Sequence, residues 1–457
     1  MTPLPGAKPL RRVLVANRGE IALRIIRACR ELGLETLQVY SEADADSLAV
    51  RLADRAVCIG PARSNQSYLN AEFIVSAALI HQADAVHPGY GFLSENAAFA
   101  GLCEMEGLGF IGPRADVIAM MGDKARARQL ASEAGVPTTP GSSDKVSNAQ
   151  EAAAVAQALG YPVLLKAAAG GGGRGMRVVH SAAELAGQFA DASREAKASF
   201  GDDAIYLEKY LTNIRHIEIQ VLADGATVLH LGERDCSIQR RNQKLLEESP
   251  SPVLDEEVRA RMGEAAVRLC RHVGYTSAGT IEFILDQGSG EFYFMEMNTR
   301  VQVEHPVTEM VTGIDIVKAQ IRIAQGLPLA LRQEDIRLSG HAIECRINAE
   351  DFENGFAPHP GLVQHYHAPG GPGIRVDSHL YSGYRIPPYY DSLVAKVVAW
   401  GEGRTEAIAR MKRALCEMEI TGIKTTIPFH LKLLHHEAFL RGDVHTQFVE
   451  NNLLQGK

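Results

Sequence analysis

Residues 279–310, GTIEFILDQGSGEFYFMEMNTRVQVEHPVTEM, hold Glu282 and then acidic, amide and basic side chains at every second position from 296 to 304: Glu296, Asn298, Arg300, Gln302 and Glu304. Two runs rich in β-branched and aromatic residues flank Gly288-Ser289-Gly290, which predicts two strands joined by a turn. Alternate side chains of a strand share a face. Thr280, Glu282 and Ile284 therefore line one face of the first strand, and Phe292, Phe294, Glu296 and Asn298 one face of the second. Pairing would bring Glu282 beside Glu296 and Asn298. Two carboxylates and an amide oxygen are a hard donor set suited to Mg²⁺, which keeps waters and binds phosphate oxygens. The same parity, extended through Arg300, Gln302 and Glu304, adds groups suited to an anionic substrate. A solvated polar hairpin would use the same residues, but Phe283, Phe294 and Met295 predict apolar surroundings, where unpaired carboxylates are costly.

Other segments carry compatible chemistry. Gly170-Gly171-Gly172-Gly173-Arg174-Gly175 lies between the expected strands YPVLLKAA (161–168) and MRVVH (176–180). Such a loop can turn its amides towards an anion and close as a lid. Lys166, at the end of the first strand, can supply a point charge to phosphate. Glu208 and Lys209, in AIYLEKYL (204–211), are expected at a sheet edge where a nucleotide base or ribose could be read. Arg240, Arg241 and Lys244 form a local positive patch, either solvated or a counter-charge for an anion. Arg346 sits mid-strand in AIECRIN, a position that calls for a carboxylate or ligand partner. Lys124, in MGDKARA, starts an amphipathic helix and by itself reads as solvated. HPGYGFLSEN (87–96) is a loop entering a helix, with Ser94 as the expected cap.

These residues need a framework of alternating elements. RRVLVA (11–16), LETLQVYS (34–41), AVCIG (56–60), ADAVH (83–87) and LGFIG (108–112) read as strands, with a helix over 20–33 stopped by Gly33. This pattern predicts a parallel sheet flanked by helices. The turn Asn17-Arg18-Gly19-Glu20 lacks the G-x-G-x-x-G dinucleotide fingerprint. A helical connection spans 113–137, and a smaller α/β unit spans 138–208 with a helix over 147–159. RHIEIQVLAD (215–224) alternates strictly, and ADGA turns it into TVLHLGERDC. A strand over 392–400 and a helix over 404–418 form a closing α+β layer. The 457 residues fit roughly three domains. A net charge of -8 without a basic block speaks against nucleic acid as a partner. Seven cysteines without a C-x-x-C pair read as reduced thiols, and the start lacks a signal-peptide apolar region. No apolar run is long enough to span a membrane. The expectation is a cytoplasmic protein.

In order along the chain, HPGYGFLSEN, MGDK, the K-AAA-GGGGRGM segment, EKYL, RHIEIQVLAD, ERDCSIQRR-QK, EMNTRVQVEHPVTE and GHAIECRINAED closely resemble the biotin carboxylases of acetyl-CoA carboxylase and related biotin-dependent carboxylases. The likeness covers nearly the whole length. It implies a Rossmann-like N-terminal domain (1–112), the helical connection, an ATP-grasp fold with a glycine-rich lid (138–208) and a C-terminal catalytic domain (209–457). Within this, the ATP-grasp core covers about 124–325 and an antiparallel C-terminal part about 340–450. It implies ATP-dependent carboxylation of biotin by bicarbonate through carboxyphosphate, with Mg²⁺ or Mn²⁺. Carried over position by position, Lys124, Lys166, Gly172, Gly173, Glu208, Lys209, Tyr210, Leu211, His216, Gln239, Asn242, Glu282 and Glu296 would bind ATP. Glu282, Glu296 and Asn298 would hold the metal. Lys244, Arg300, Gln302 and Val303 would hold bicarbonate, Glu304 would act as general base, and Arg346 would stabilise the biotin enolate.

Two positions depart from the family pattern. Asn242 stands in QRRNQK where histidine is often found, and Ala169 stands where the lid often has a further glycine. The nearest approach to the A-M-K-M biotinylation sequence is Ala409-Arg410-Met411-Lys412, inside a predicted helix. The resemblance therefore implies a separate biotin carboxyl carrier protein, separate carboxyltransferase subunits and a homodimer. The acyl acceptor is not readable from these residues. Two alternatives share parts of the pattern: an ATP-grasp ligase activating another carboxylate, and a nucleotide-binding paralogue without activity. RVQVEHPVTE and ECRINAED disfavour the first, and intact Lys166, Glu282, Glu296, Arg300 and Glu304 the second.

Overall fold

Short apolar runs separated by amphipathic helices give the chain's first layer. β1 (Arg12–Val15), β2 (Glu35–Tyr40), β3 (Arg55–Cys58), β4 (Ala85–His87) and β5 (Gly109–Phe110) form a parallel sheet in the order β3-β2-β1-β4-β5. The helix Gly19–Glu31 buries Ile21, Leu23, Ile25 and Ile26 against this layer, the apolar spacing read from the sequence. The computed structural model describes residues 9–142, 145–167, 176–200 and 203–454. The glycine segment with Gly172, Gly173 and Ala169 lies outside these residues.

Two compact units result: residues 1–136, 215–283 and 296–457, and a smaller one of 137–214 with 284–295. In the smaller unit, β6 (Val163–Ala167), β7 (Met176–Val179) and β8 (Ile205–Lys209) form an antiparallel sheet in the order β7-β6-β8. The far side of β8 is bridged by Gly141 to Glu208 and by Val146 to Ile205, so Glu208 and Lys209 are not at an open sheet edge. The helix Ala182–Phe200 also belongs to this unit, an element the strand-centred reading of this region did not identify.

The larger unit is organised by one eight-stranded sheet in the order β13-β12-β9-β10-β11-β14-β19-β18. Its strands are β9 (Ile214–Asp224), β10 (Val228–Arg240), β11 (Gln243–Ser249), β12 (Thr276–Asp286), β13 (Phe292–Asn298), β14 (His341–Asn348), β18 (Ile374–Ser378) and β19 (Leu393–Gly401). Two small ladders pair β15 (Glu350–Asp351) with β16 (Ala357–Pro358), and β17 (His365–His367) with β20 (Glu419–Thr421). The expected closing layer is thus an extension of the main sheet: β14 pairs with β11 on one side and β19 on the other. The helix Arg404–Glu417 packs Ile408, Met411 and Leu415 into the core beneath these strands. Among the described residues, no helix is long and apolar enough to cross a membrane.

Local chemistry explains three boundaries. The cap of the helix Ala97–Met105 is Asn96, which accepts from Phe99 N at 2.9 Å; Ser94, the expected cap, lies two residues too early. The β12–β13 turn is closed by Asp286, whose carboxylate accepts from Gly288 N (3.1 Å) and Ser289 Oγ (2.7 Å). Arg241 and Asn242 form the tip of the β10–β11 hairpin at φ +49° and +65°. Asparagine tolerates this left-handed region, so the turn itself favours Asn242.

Candidate active site

The ammonium of Lys244 on β11 gathers three carboxylates from three other segments. Its Nζ donates to Glu218 Oε2 of β9 at 2.6 Å, Glu282 Oε1 of β12 at 2.9 Å and Glu304 Oε1 at 2.7 Å. An ammonium has three donors, and all three acceptors here are buried. Burial alone would push Lys244 towards neutrality, but the three carboxylates outweigh it and hold the ammonium well above the usual lysine range. Burial likewise raises Glu304, yet Lys244, Arg346 and Arg234 bring it well below the usual carboxylate range. Glu282 is held low against burial by Lys244 and His216.

Glu282 is the second hub. Its Oε1 also accepts from Asn298 Nδ2 (2.8 Å) and Gln302 Nε2 (2.7 Å), and its Oε2 lies 2.8 Å from His216 Nε2. Gln239 Nε2 stands 2.9 Å from His216 Nδ1, placing these two nucleotide candidates side by side. Asn298 Oδ1 accepts from Arg300 Nη2 at 2.8 Å. Glu95, at the end of HPGYGFLSEN, accepts from Arg300 Nε (2.9 Å) and Thr299 N (3.1 Å) and fixes the loop after β13.

Strand parity does not carry the residues beyond Asn298. β13 ends there, and Arg300, Gln302 and Glu304 occupy a loop and turn leading into the helix His305–Thr312. They still reach the cluster because long-range partners capture them. Arg234, fully buried on β10, captures Gln302. Its Nε donates to Glu218 Oε1, its Nη1 to Gln220 Oε1 (2.7 Å) and Thr308 Oγ1 (3.0 Å), and its Nη2 to Thr280 Oγ1 (3.1 Å) and Gln302 Oε1 (2.9 Å). All five guanidinium donors are used. The Val303 carbonyl accepts from Lys396 Nζ at 2.8 Å. Arg346, on β14, has the partners its mid-strand position called for: Nε donates to Glu247 Oε1 (2.6 Å) and Nη2 to Glu304 Oε2 (2.9 Å).

The remaining candidates divide. Lys124 is 71% exposed and lies 3.5 Å from Glu296, itself 39% exposed, so this pair faces solvent. Lys166 is ion-paired to Glu208 within the smaller unit. The Lys209 side chain is held by the carbonyls of Gly160 (2.9 Å) and Tyr161 (3.3 Å), and Tyr210 N donates to Pro162 O at 3.2 Å, leading on to Leu211. Met295 is exposed rather than part of an apolar wall. Of the positive patch only Lys244 enters the cluster. Arg240 turns to Gly355 O and stacks 4.4 Å over the Phe356 ring, while Arg241 N donates to Glu450.

Sequence reading missed Glu218, Arg234, Glu247 and Glu95. Glu218 had a signal, since it shares parity with His216 and Gln220 in a strictly alternating strand. Glu282, Glu296 and Asn298 carry the oxygens a hard divalent cation takes; here Glu282 Oε1 is engaged by Lys244, Asn298 Oδ1 by Arg300, and Glu296 lies beside Lys124. Two further groups of possible donors lie close together, His216/Glu218/Glu282 and Glu218/Cys236/Glu304. Glu218 is already committed to Arg234 and Lys244, and burial raises the Cys236 thiol well above its usual value.

Three family models match in series: biotin carboxylase N-terminal domain over residues 9–118, carbamoyl-phosphate synthase L chain ATP-binding domain over 123–332, and biotin carboxylase C-terminal domain over 344–451. Biotin carboxylase 1 of Bacillus subtilis is 58% identical over 448 residues, covering 98% of this chain and 100% of that protein. The crystal structure of a biotin carboxylase complex with βγ-ATP from Campylobacter jejuni superimposes with a TM-score of 0.90 at 50% identity, over 97% of this chain and 99% of that one. The biotin carboxylase domain dimer of Hydrogenobacter thermophilus 2-oxoglutarate carboxylase, with MgADP, ADP and bicarbonate, superimposes with a TM-score of 0.89 at 52% identity, over 97% and 98% of the two chains.

Proposed function

The chain belongs to the biotin carboxylase family and carboxylates biotin with bicarbonate and ATP, and we propose that the cluster around Lys244, Glu282 and Glu304 is where it does so. The observation that carries this reading is the convergence of Lys244 and Arg346 on one buried carboxylate, Glu304. Lys244, Arg300 and Gln302, with the fixed Val303 backbone, hold bicarbonate. Lys124, Lys166, His216, Gln239 and the segment Glu208 to Leu211 serve the nucleotide.

Glu304 is the general base that takes the bicarbonate proton, so that a bicarbonate oxygen attacks the γ-phosphate of ATP to give carboxyphosphate and ADP. Its proton affinity is low while Lys244 and Arg346 both lie against it. Sharing Lys244 with bicarbonate and turning Arg346 towards biotin weakens both contacts. The carboxylate thus becomes a stronger base when substrates are in place. Glu282, Glu296 and Asn298 would hold a divalent cation, which would neutralise charge at the phosphate oxygens. Carboxyphosphate decays to CO₂ and phosphate, phosphate removes the biotin ureido proton, and Arg346 holds the enolate oxygen while CO₂ is captured.

A biotin carboxyl carrier protein delivers biotin, carboxyltransferase subunits consume the product, and two copies of the chain pair as a homodimer in the cytoplasm. The dimeric relative supports the last arrangement. Incorporation of labelled bicarbonate into free biotin, dependent on ATP and Mg²⁺, tests the reading. ATP cleavage indifferent to bicarbonate and biotin would refute it.

A further inference from the structure

Glu247 and Glu344 stand directly opposite each other in the β11–β14 ladder. Opposite residues project to the same face of a sheet at short range, and like charges there repel. Both side chains are fully buried. Glu247 spends Oε1 on Arg346, but its Oε2 and both oxygens of Glu344 have no hydrogen-bond partner among the described residues. Buried carboxyl oxygens without partners call for an explanation, and the steps above use neither residue.

The charges around the pair can be followed element by element. Arg346, two residues from Glu344 on β14, is shared between Glu247 and Glu304. Lys396, opposite Arg346 on β19, is committed to Glu20 Oε1 (3.1 Å) and the Val303 carbonyl. Lys244 of β11 is committed to its three carboxylates. The helix His305–Thr312 brings His305, held neutral by burial and the neighbouring cations, and Glu309, paired with Arg24 and Arg375. Among the described residues each of these cations is already paired with another group; Lys396 still draws on Glu344, but burial outweighs it, so at most one of the two carboxyls is ionised.

We propose that Glu247 and Glu344 are positioning residues for Arg346, a carboxyl pair holding one proton, and that Glu247 takes a second proton from solvent when Arg346 turns from it to biotin. The proposal rests on the assignment of Arg346 to biotin. Protonation removes the charge that would otherwise pull Arg346 back, and so lowers the cost of releasing it. Burial, against the pull of Arg346, raises Glu247 to about 7, and burial raises Glu344 well above the carboxylate range. The device therefore works in the physiological range.

The sign follows from linkage. Below pH about 7 Glu247 is already protonated in the free protein and biotin binding takes up nothing; above it, binding takes up one proton. The KM for free biotin should rise by up to about tenfold per pH unit above that point, with the KM for ATP flat over the same range. E247Q keeps an acceptor for Arg346 and removes the proton, so its biotin profile should be flat. E344Q offers an amide donor to Glu247 and should move the break to lower pH. An unchanged slope in E247Q, or an unmoved break in E344Q, would overturn the proposal. R346K with the wild-type KM for biotin would remove the assignment of Arg346, and the proposal with it.

Discussion

Replacing Lys244 with methionine separates the electrostatic reading of this site from a purely steric one. The variant keeps the aliphatic stem but leaves Glu218, Glu282 and Glu304, now 2.6–2.9 Å from one ammonium, facing each other in a buried space. Removing one partner of a buried ion pair costs about 3–5 kcal/mol. The larger unit has roughly 370 residues, and at about 2.1 cal/mol/K per residue its unfolding entropy is near 0.8 kcal/mol/K, so melting should fall by about 4–6 °C. The pH dependence is the sharper signature. In the native protein the folded pKa values of Glu282 and Glu304 are depressed, so their contribution is complete above the unfolded value of about 4.5 and is lost as pH falls below it. Without Lys244 these carboxyls rise above their unfolded values, and stability is lost as pH rises. The melting deficit of K244M should therefore be large at pH 8 and narrow towards pH 5. Differential scanning fluorimetry across that range reads it directly. A deficit constant with pH, or none, would refute the charge assignment.

E304Q should lose bicarbonate-dependent ATP cleavage by roughly 10²–10⁴-fold while retaining nucleotide binding by fluorescence titration; wild-type turnover would exclude Glu304 as the base. R346A should lose biotin carboxylation more than biotin-independent ATPase activity, and equal loss in the two assays would remove its assigned role. R234K has three donors where the native side chain uses five, so Gln302 and Glu218 lose their fixed orientation. One lost charged hydrogen bond is worth about 1.5–3 kcal/mol, or roughly 10–150-fold in the KM for bicarbonate; a change confined to the KM for ATP would contradict the assignment.

The hairpin of β12 and β13 was legible because β-sheet parity is local, and the closeness of Glu282 and Asn298 follows from it. Arg346 was legible for a related reason, since an arginine amid apolar strand residues needs a partner. The identity of that partner was not. Glu247 meets Arg346 only through the β11–β14 pairing, which joins segments about a hundred residues apart. Gln302 and Glu304 were expected at the site for a reason that fails, because the strand ends at Asn298. They arrive there through Arg234, Glu282 and Lys244, contacts without local periodicity. Ser94 and Asn96 both had the chemistry of a cap, and only the actual helix start chose between them.

The uninterrupted ladder from β11 through β14 to β19 bears on how this protein can be divided. Two of the matching sequence modules meet near residues 332–344, which looks like a natural seam for truncation or chimera building. Cutting there would strip β11 of its neighbour, leaving unsatisfied amides and carbonyls along a raw border prone to self-association. It would also separate Arg346 from Glu304. Sequence modules and foldable pieces do not coincide in this chain, and grafts are better exchanged with residues 123–451 kept whole.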